Sequence, residues 1–159
     1  TYICNYLTTK NMRVLFFFSI ILLSTTSSTP KEPRVKSITT KEFKELIWNY
    51  TKDKEWRYKG DKPVIVDFYA DWCPPCHRLS PILTKIQKEY GDSLQIYKVN
   101  IEKEKDLAKL LEIKNIPLML FIPKNENPVK VLGVHSKNDL EKMILKVLKV
   151  NKVSLHRKK

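Results

Sequence analysis

Glycine and cysteine are scarce in this chain, 3 of each among 159 residues, and acids are short, 17 against 30 lysines and arginines. Little glycine with 42% hydrophobic residues excludes a disordered chain and points to one packed globular domain plus a short extension. The three cysteines, Cys4, Cys73 and Cys76, are too few for a disulfide scaffold and suit one working pair with an outlier. A second C-x-x-C is missing. Zinc would therefore lack its four ligands, since only Asp71 and His77 lie near the pair in sequence. No metal and no cofactor are expected. Also absent is an apolar run of the about 20 residues that a bilayer-spanning helix needs. The acid shortage leaves a net charge of +13. Yet Lys85, Lys88, Lys103, Lys105, Lys109 and Lys114 are scattered at helix-face spacing, as on solvated surfaces, so no nucleic-acid partner is expected. Only the end of the chain is a basic cluster: Lys149, Lys152, Arg157, Lys158 and Lys159, with residues 151–159 read as a tail.

What stands at the front is a targeting signature. From Met12 the chain has one basic residue, Arg13, then the apolar run Val14 to Leu23, then serines and threonines to Thr29. That order describes a secretory signal peptide. Residues 1–28 are expected to form the signal region, with 1–11 ahead of a start at Met12 and Cys4 outside the mature protein. Residues 29–36, charged and proline-containing, read as a linker, and 37–150 as the domain. The expected location is periplasmic or secreted, with an uncleaved N-terminal membrane anchor as the alternative. No cysteine follows the run, so a lipoprotein anchor is not supported.

Within the domain, Thr39 and Glu42 fit a capping box, and Phe43, Leu46, Ile47 and Tyr50 recur at helical spacing, which predicts a helix from Thr40 to about Tyr50. Thr51 to Lys62 is polar and loop-like. Val64 to Ala70 is a near-continuous apolar run, the mark of a central strand buried on both faces, and Asp67 inside it is conspicuous. Leu79, Ile82, Leu83, Ile86 and Tyr90 mark a helix that Gly91 ends and Pro81 should kink. Leu94 to Val99 alternates as a strand, Lys105 to Leu111 is a short helix, and Ile116-Pro117 precedes the strand Leu118 to Ile122. Pro123 to Pro128 turns the chain into an antiparallel Val129 to Val134, and Ser136 caps a last helix. The order predicts an α/β fold: a central mixed sheet, parallel strands first and a hairpin at the edge, flanked by helices.

Between the buried strand and the long helix lies Trp72-Cys73-Pro74-Pro75-Cys76. Cysteines at i and i+3 can close a disulfide with little backbone movement. The first, at a helix N-terminus, gains from unpaired N–H groups and the helix dipole, which favour a thiolate. Pro74 and Pro75 have no N–H, so two potential donors to that thiolate are gone. A less stabilised thiolate, and a disulfide that closes with less entropy loss, both favour a reductant or mild exchanger.

From about Lys36 to Leu148 the chain resembles a thioredoxin, on several separate motifs. Val66-Asp67-Phe68-Tyr69-Ala70-Asp71-Trp72-Cys73 resembles the family's strand into the redox turn, and Pro81 its helix kink. Lys98-Val99-Asn100 resembles the family's Lys-x-Asn, Ile116-Pro117 its Ile-cis-Pro, and Gly133 with Ser136-Lys137 and Leu140 its final helix start. Pro-Pro between the cysteines departs from the usual Gly-Pro, and His77 stands where many relatives have Lys. The resemblance implies the thioredoxin fold and a Cys73/Cys76 dithiol–disulfide cycle. Cys73 would be the nucleophile, Cys76 the resolving thiol and Asp67 its proton acceptor; Lys98 either pairs with Asp67 or is a surface lysine. Trp72, Pro74, Pro75, Ile116 and Pro117 would meet substrate. His77 reads as a solvent-facing helix residue, and Trp48 and Trp56 as packing. Expected partners are disulfide-containing proteins and an electron donor that the residues do not name, a membrane-bound one among the candidates; the chain is expected to be a monomer. Reduction of disulfides in exported proteins leads; disulfide oxidation or isomerisation, and peptide clamping with redox secondary, are the alternatives.

Overall fold

The computed structural model describes residues 32–153. The expected signal region, Cys4 and residues 154–159 of the basic tail lie outside the described residues. Five strands form one mixed sheet in the order β1-β3-β2-β4-β5: β1 Lys36–Ser37, β2 Val64–Tyr69, β3 Gln95–Asn100, β4 Leu118–Ile122 and β5 Val129–Leu132. β2 and β3 run parallel; β4 and β5 form the antiparallel edge hairpin. Four α-helices accompany them: α1 Thr40–Leu46, α2 Pro74–Tyr90, α3 Lys105–Leu110 and α4 Lys137–Met143.

Alternation along the strands divides the core. Ile65, Ile96, Met119 and Phe121 pack with Leu79, Leu83 and Ile86 of α2 and with Leu140 of α4. Val64, Val66, Phe68, Val99, Leu118 and Leu120 face the other way, toward Phe43 of α1 and Leu107 of α3. β2 is buried along its length up to Tyr69 because both layers cover it.

Three boundaries differ from the sequence expectation. The described residues open with a strand, β1, and not with a helix. Its two residues are exposed and carry no alternation, and they are strand only because they pair with Tyr97 and Lys98 of β3. α1 ends at Leu46, not near Tyr50. The Trp48 N–H folds back to the Phe43 carbonyl, and the Trp48 indole packs against Tyr50 and Trp56 while donating to the Glu55 carbonyl. The apolar residues that extended the helical pattern thus order a loop. α4 continues as a π-helical turn, Ile144–Leu148, which still buries Ile144 and Leu148. The capping box is present as read: Thr39 accepts from the Glu42 N–H, and Glu42 from the Thr39 N–H at 2.8 Å. Gly91 ends α2 at φ +56°, a conformation that L side chains resist. Pro81 sits inside α2 without ending it.

Candidate active site

Register brings the cysteines and the proline loop to one edge of the sheet. Phe68, near the end of β2, pairs with Val99 near the end of β3 and with Leu118 at the start of β4. The turn after β2 and the segment before β4 therefore lie side by side. The Ile116–Pro117 peptide bond is cis, and Ile116 packs against the cluster of Ala70, Cys73 and Cys76.

Cys73 and Cys76 form a disulfide, with Cα atoms 5.3 Å apart. Cys73 is the N-cap of α2, and its Sγ accepts from the Cys76 N–H at 3.2 Å. Pro74 and Pro75 fill the first helical positions, where a missing N–H suits a helix start but leaves the sulfur that single backbone donor from the first turn. Both cysteines are buried, while Trp72 beside them is 65% exposed. The turn thus presents an apolar side chain to a partner and keeps the sulfurs at its base.

Asp67 shares the sheet face of Ile65, Met119 and Ile96, the face that α2 covers. It is 4% exposed, and its Oδ1 has no hydrogen-bond partner among the described residues. Burial pushes its carboxyl up to about 7, against the field of Lys98, which pulls it down. A carboxyl that titrates near neutrality can accept and return a proton. Lys98 stands opposite Asp67 in the β2–β3 register. Lys98 has two readings, a partner of Asp67 or a surface lysine: no ion pair within 4.0 Å joins the two among the described residues, yet the lysine's charge still moderates the Asp67 shift. Its ammonium instead lies over the Tyr69 ring, 4.1 Å from the centroid, so the charge reaches Asp67 only through space.

The family model for thioredoxin matches residues 34–146. The chain belongs to the thioredoxin family. A thioredoxin from Borreliella burgdorferi is 40% identical over 108 residues, 68% of this chain and 92% of that one. The chloroplastic M-type thioredoxin of Spinacia oleracea is 31% identical over 137 residues, 82% of this chain and 75% of its own. Among solved structures, a thioredoxin of Malassezia sympodialis superposes with a TM-score of 0.58 at 27% identity, covering 75% of this chain and 96% of that one. The Cys73–Cys76 pair accordingly makes this thioredoxin-family chain a thiol–disulfide oxidoreductase, an enzyme acting on disulfide-containing proteins.

Two residues of this thioredoxin site had no role in the sequence reading. His77, though exposed, is not free: its Nε2 lies 2.8 Å from the Asp71 carbonyl oxygen. Asn100, at the end of β3, donates to the Asp71 carboxylate at 3.0 Å and accepts from the Glu102 and Lys103 N–H groups. The advance signs were His77 in a place where relatives carry Lys and Asn100 closing the Lys98-Val99-Asn100 motif, and neither says what the side chain holds. The closure of the segment from Asp71 to His77 by the His77 ring is a tertiary fact that spacing does not reveal.

Proposed function

We propose that this chain is a monomeric disulfide reductase for exported proteins, with Cys73 as nucleophile and Cys76 as resolving thiol. The reducing direction is supported by one observation above others: in the first turn of α2 only the Cys76 N–H reaches Cys73 Sγ, because Pro74 and Pro75 have none to give. Fewer donors mean a less stabilised thiolate, a less favoured dithiol form and stronger electron donation to substrate.

In the proposed cycle the Cys73 thiolate attacks one sulfur of a substrate disulfide, and the other substrate sulfur leaves as a thiolate. Cys76 then loses its proton to the Asp67 carboxylate and attacks Cys73 Sγ. The second substrate thiolate departs, Cys73 and Cys76 are joined, and two electrons have passed to the substrate. A dithiol donor that the residues do not name returns them. Trp72, Pro74 and Pro75 form one side of the substrate cleft, and Ile116 and cis Pro117 the other. Lys98 holds the Asp67 carboxyl near neutrality and out of the higher range that burial alone would give. Export is supported by the single basic residue and the apolar run of residues 13–23. An organelle transit peptide would be amphipathic and arginine-rich, although some relatives are chloroplastic by name.

Alkylation of Cys73 in the reduced protein, followed against pH, tests the direction. An inflection near about 7, the value of thioredoxin itself, is expected, and one near about 3.5 would overturn the reducing reading. Cys73→Ser should abolish disulfide reduction, and full biological activity in that variant would instead favour a peptide-clamping role.

A further inference from the structure

We infer that His77 is a positioning residue for thiol–disulfide exchange: it clamps the Asp71–Cys73 turn from the α2 side while Asn100 clamps it from the β3 side. A carbonyl oxygen only accepts, so the bond to Asp71 requires the proton on His77 Nε2. The same residue's backbone N–H donates to the Cys73 carbonyl at 3.2 Å. His77 therefore grips the turn at two carbonyls, one on either side of Trp72. Asn100 takes the other end of Asp71, its carboxylate, and is itself 7% exposed and fixed by two backbone donors. The turn has little else to hold it. Its other backbone bonds are Cys73 N–H to the Ala70 carbonyl and Cys76 N–H to Cys73 Sγ, each at 3.2 Å, and Pro74 and Pro75 cannot donate.

A side chain in this place does not touch the reacting sulfurs. It acts by fixing the turn that keeps Cys73 Sγ within reach of Cys76, and so raises the effective concentration of one thiol at the other. A lysine here would have to reach the same carbonyl along a flexible stem, at a larger loss of rotamer freedom. The inference rests on the Cys73/Cys76 cycle but not on its direction.

The test is the equilibrium of the full-length protein with glutathione: the dithiol plus glutathione disulfide gives the Cys73–Cys76 disulfide plus two glutathiones. The two enzyme thiols are oxidised, and one glutathione disulfide is reduced. His77→Ala should lower this constant by about threefold to tenfold, the range one hydrogen bond supports. His77→Gln, whose amide nitrogen can occupy the Nε2 position, should restore most of it. Asp71→Ala keeps the carbonyl and removes only the grip of Asn100, so it should lower the constant separately. Combined with His77→Ala it should lower it further. Both side chains are exposed, and the folded state of each variant is checked by its denaturant midpoint. A wild-type constant in His77→Ala, or a His77→Gln constant as low as that of Ala, overturns the clamp. A lowered midpoint with an unchanged constant does the same, by reducing His77 to a structural role. Failure of the wild-type protein to equilibrate at all would instead remove the cycle on which the clamp rests.

Discussion

Replacing Asp67 by asparagine should make the oxidised protein more stable, and by an amount that depends on pH in a way no surface substitution would. The Asp67 carboxyl is raised by burial from 3.8 to about 7. Between those values the native state holds a proton that the unfolded chain has released. Stability contributed through this group is therefore present below the ordinary carboxyl range and lost as pH rises toward the native value. Roughly three pH units at about 1.36 kcal/mol each give about 4 kcal/mol lost by pH 8. The asparagine amide is neutral throughout and nearly the same shape as the protonated acid. Asp67→Asn should thus leave stability nearly unchanged at about pH 4 and raise it by up to about 4 kcal/mol at about pH 8.5. Guanidinium unfolding of both proteins at the two pH values, with the Cys73–Cys76 disulfide intact so that neither of these thiols titrates, measures the difference. A stability difference that stays flat with pH would refute the buried, neutral carboxyl and with it the proton-acceptor role. The same variant should slow Cys76 attack on the mixed disulfide while leaving alkylation of Cys73 largely intact.

Lys98→Met removes the cation that pulls the Asp67 carboxyl down, so the pH midpoint of substrate reduction should move upward; stopped-flow reduction across the neutral range checks this, and an unmoved midpoint would leave the ammonium over Tyr69 a packing feature. Cys76→Ser should halt the cycle at the mixed disulfide, leaving substrate covalently on Cys73. Mass spectrometry under non-reducing conditions would show the adduct, and free turnover in that variant would assign resolution to another thiol.

Much of this molecule was legible in sequence because its signals are local. The β-branched and aromatic run of Val64 to Tyr69 carries the signature of a central strand, and the three apolar residues on each side of Asp67 favour burial over a strand-end carboxylate facing water. The Thr39–Glu42 box, the Gly91 stop and the Ser136 cap each depend on residues within one turn of each other. What escaped depends on distant partners. Lys36 and Ser37 are a strand only through β3. Trp48 and Tyr50 keep a helical spacing yet close a loop around Trp56. Lys98 was expected to pair with Asp67 or to be a surface lysine, and its ammonium lies over the face of Tyr69, two residues beyond Asp67 on β2. His77 is exposed, as a solvent-facing residue should be, and is nonetheless engaged, because exposure and hydrogen bonding are separate properties.

The reduction potential of the Cys73–Cys76 couple tests the central claim most directly. A proline pair that withholds two donors from Cys73 predicts a value close to about −270 mV, as for thioredoxin itself, and turnover of a protein disulfide in the reducing direction. A value near about −120 mV, the range of strong disulfide oxidants, would mean that the thiolate is well stabilised despite Pro74 and Pro75, and would reverse the proposed flow of electrons.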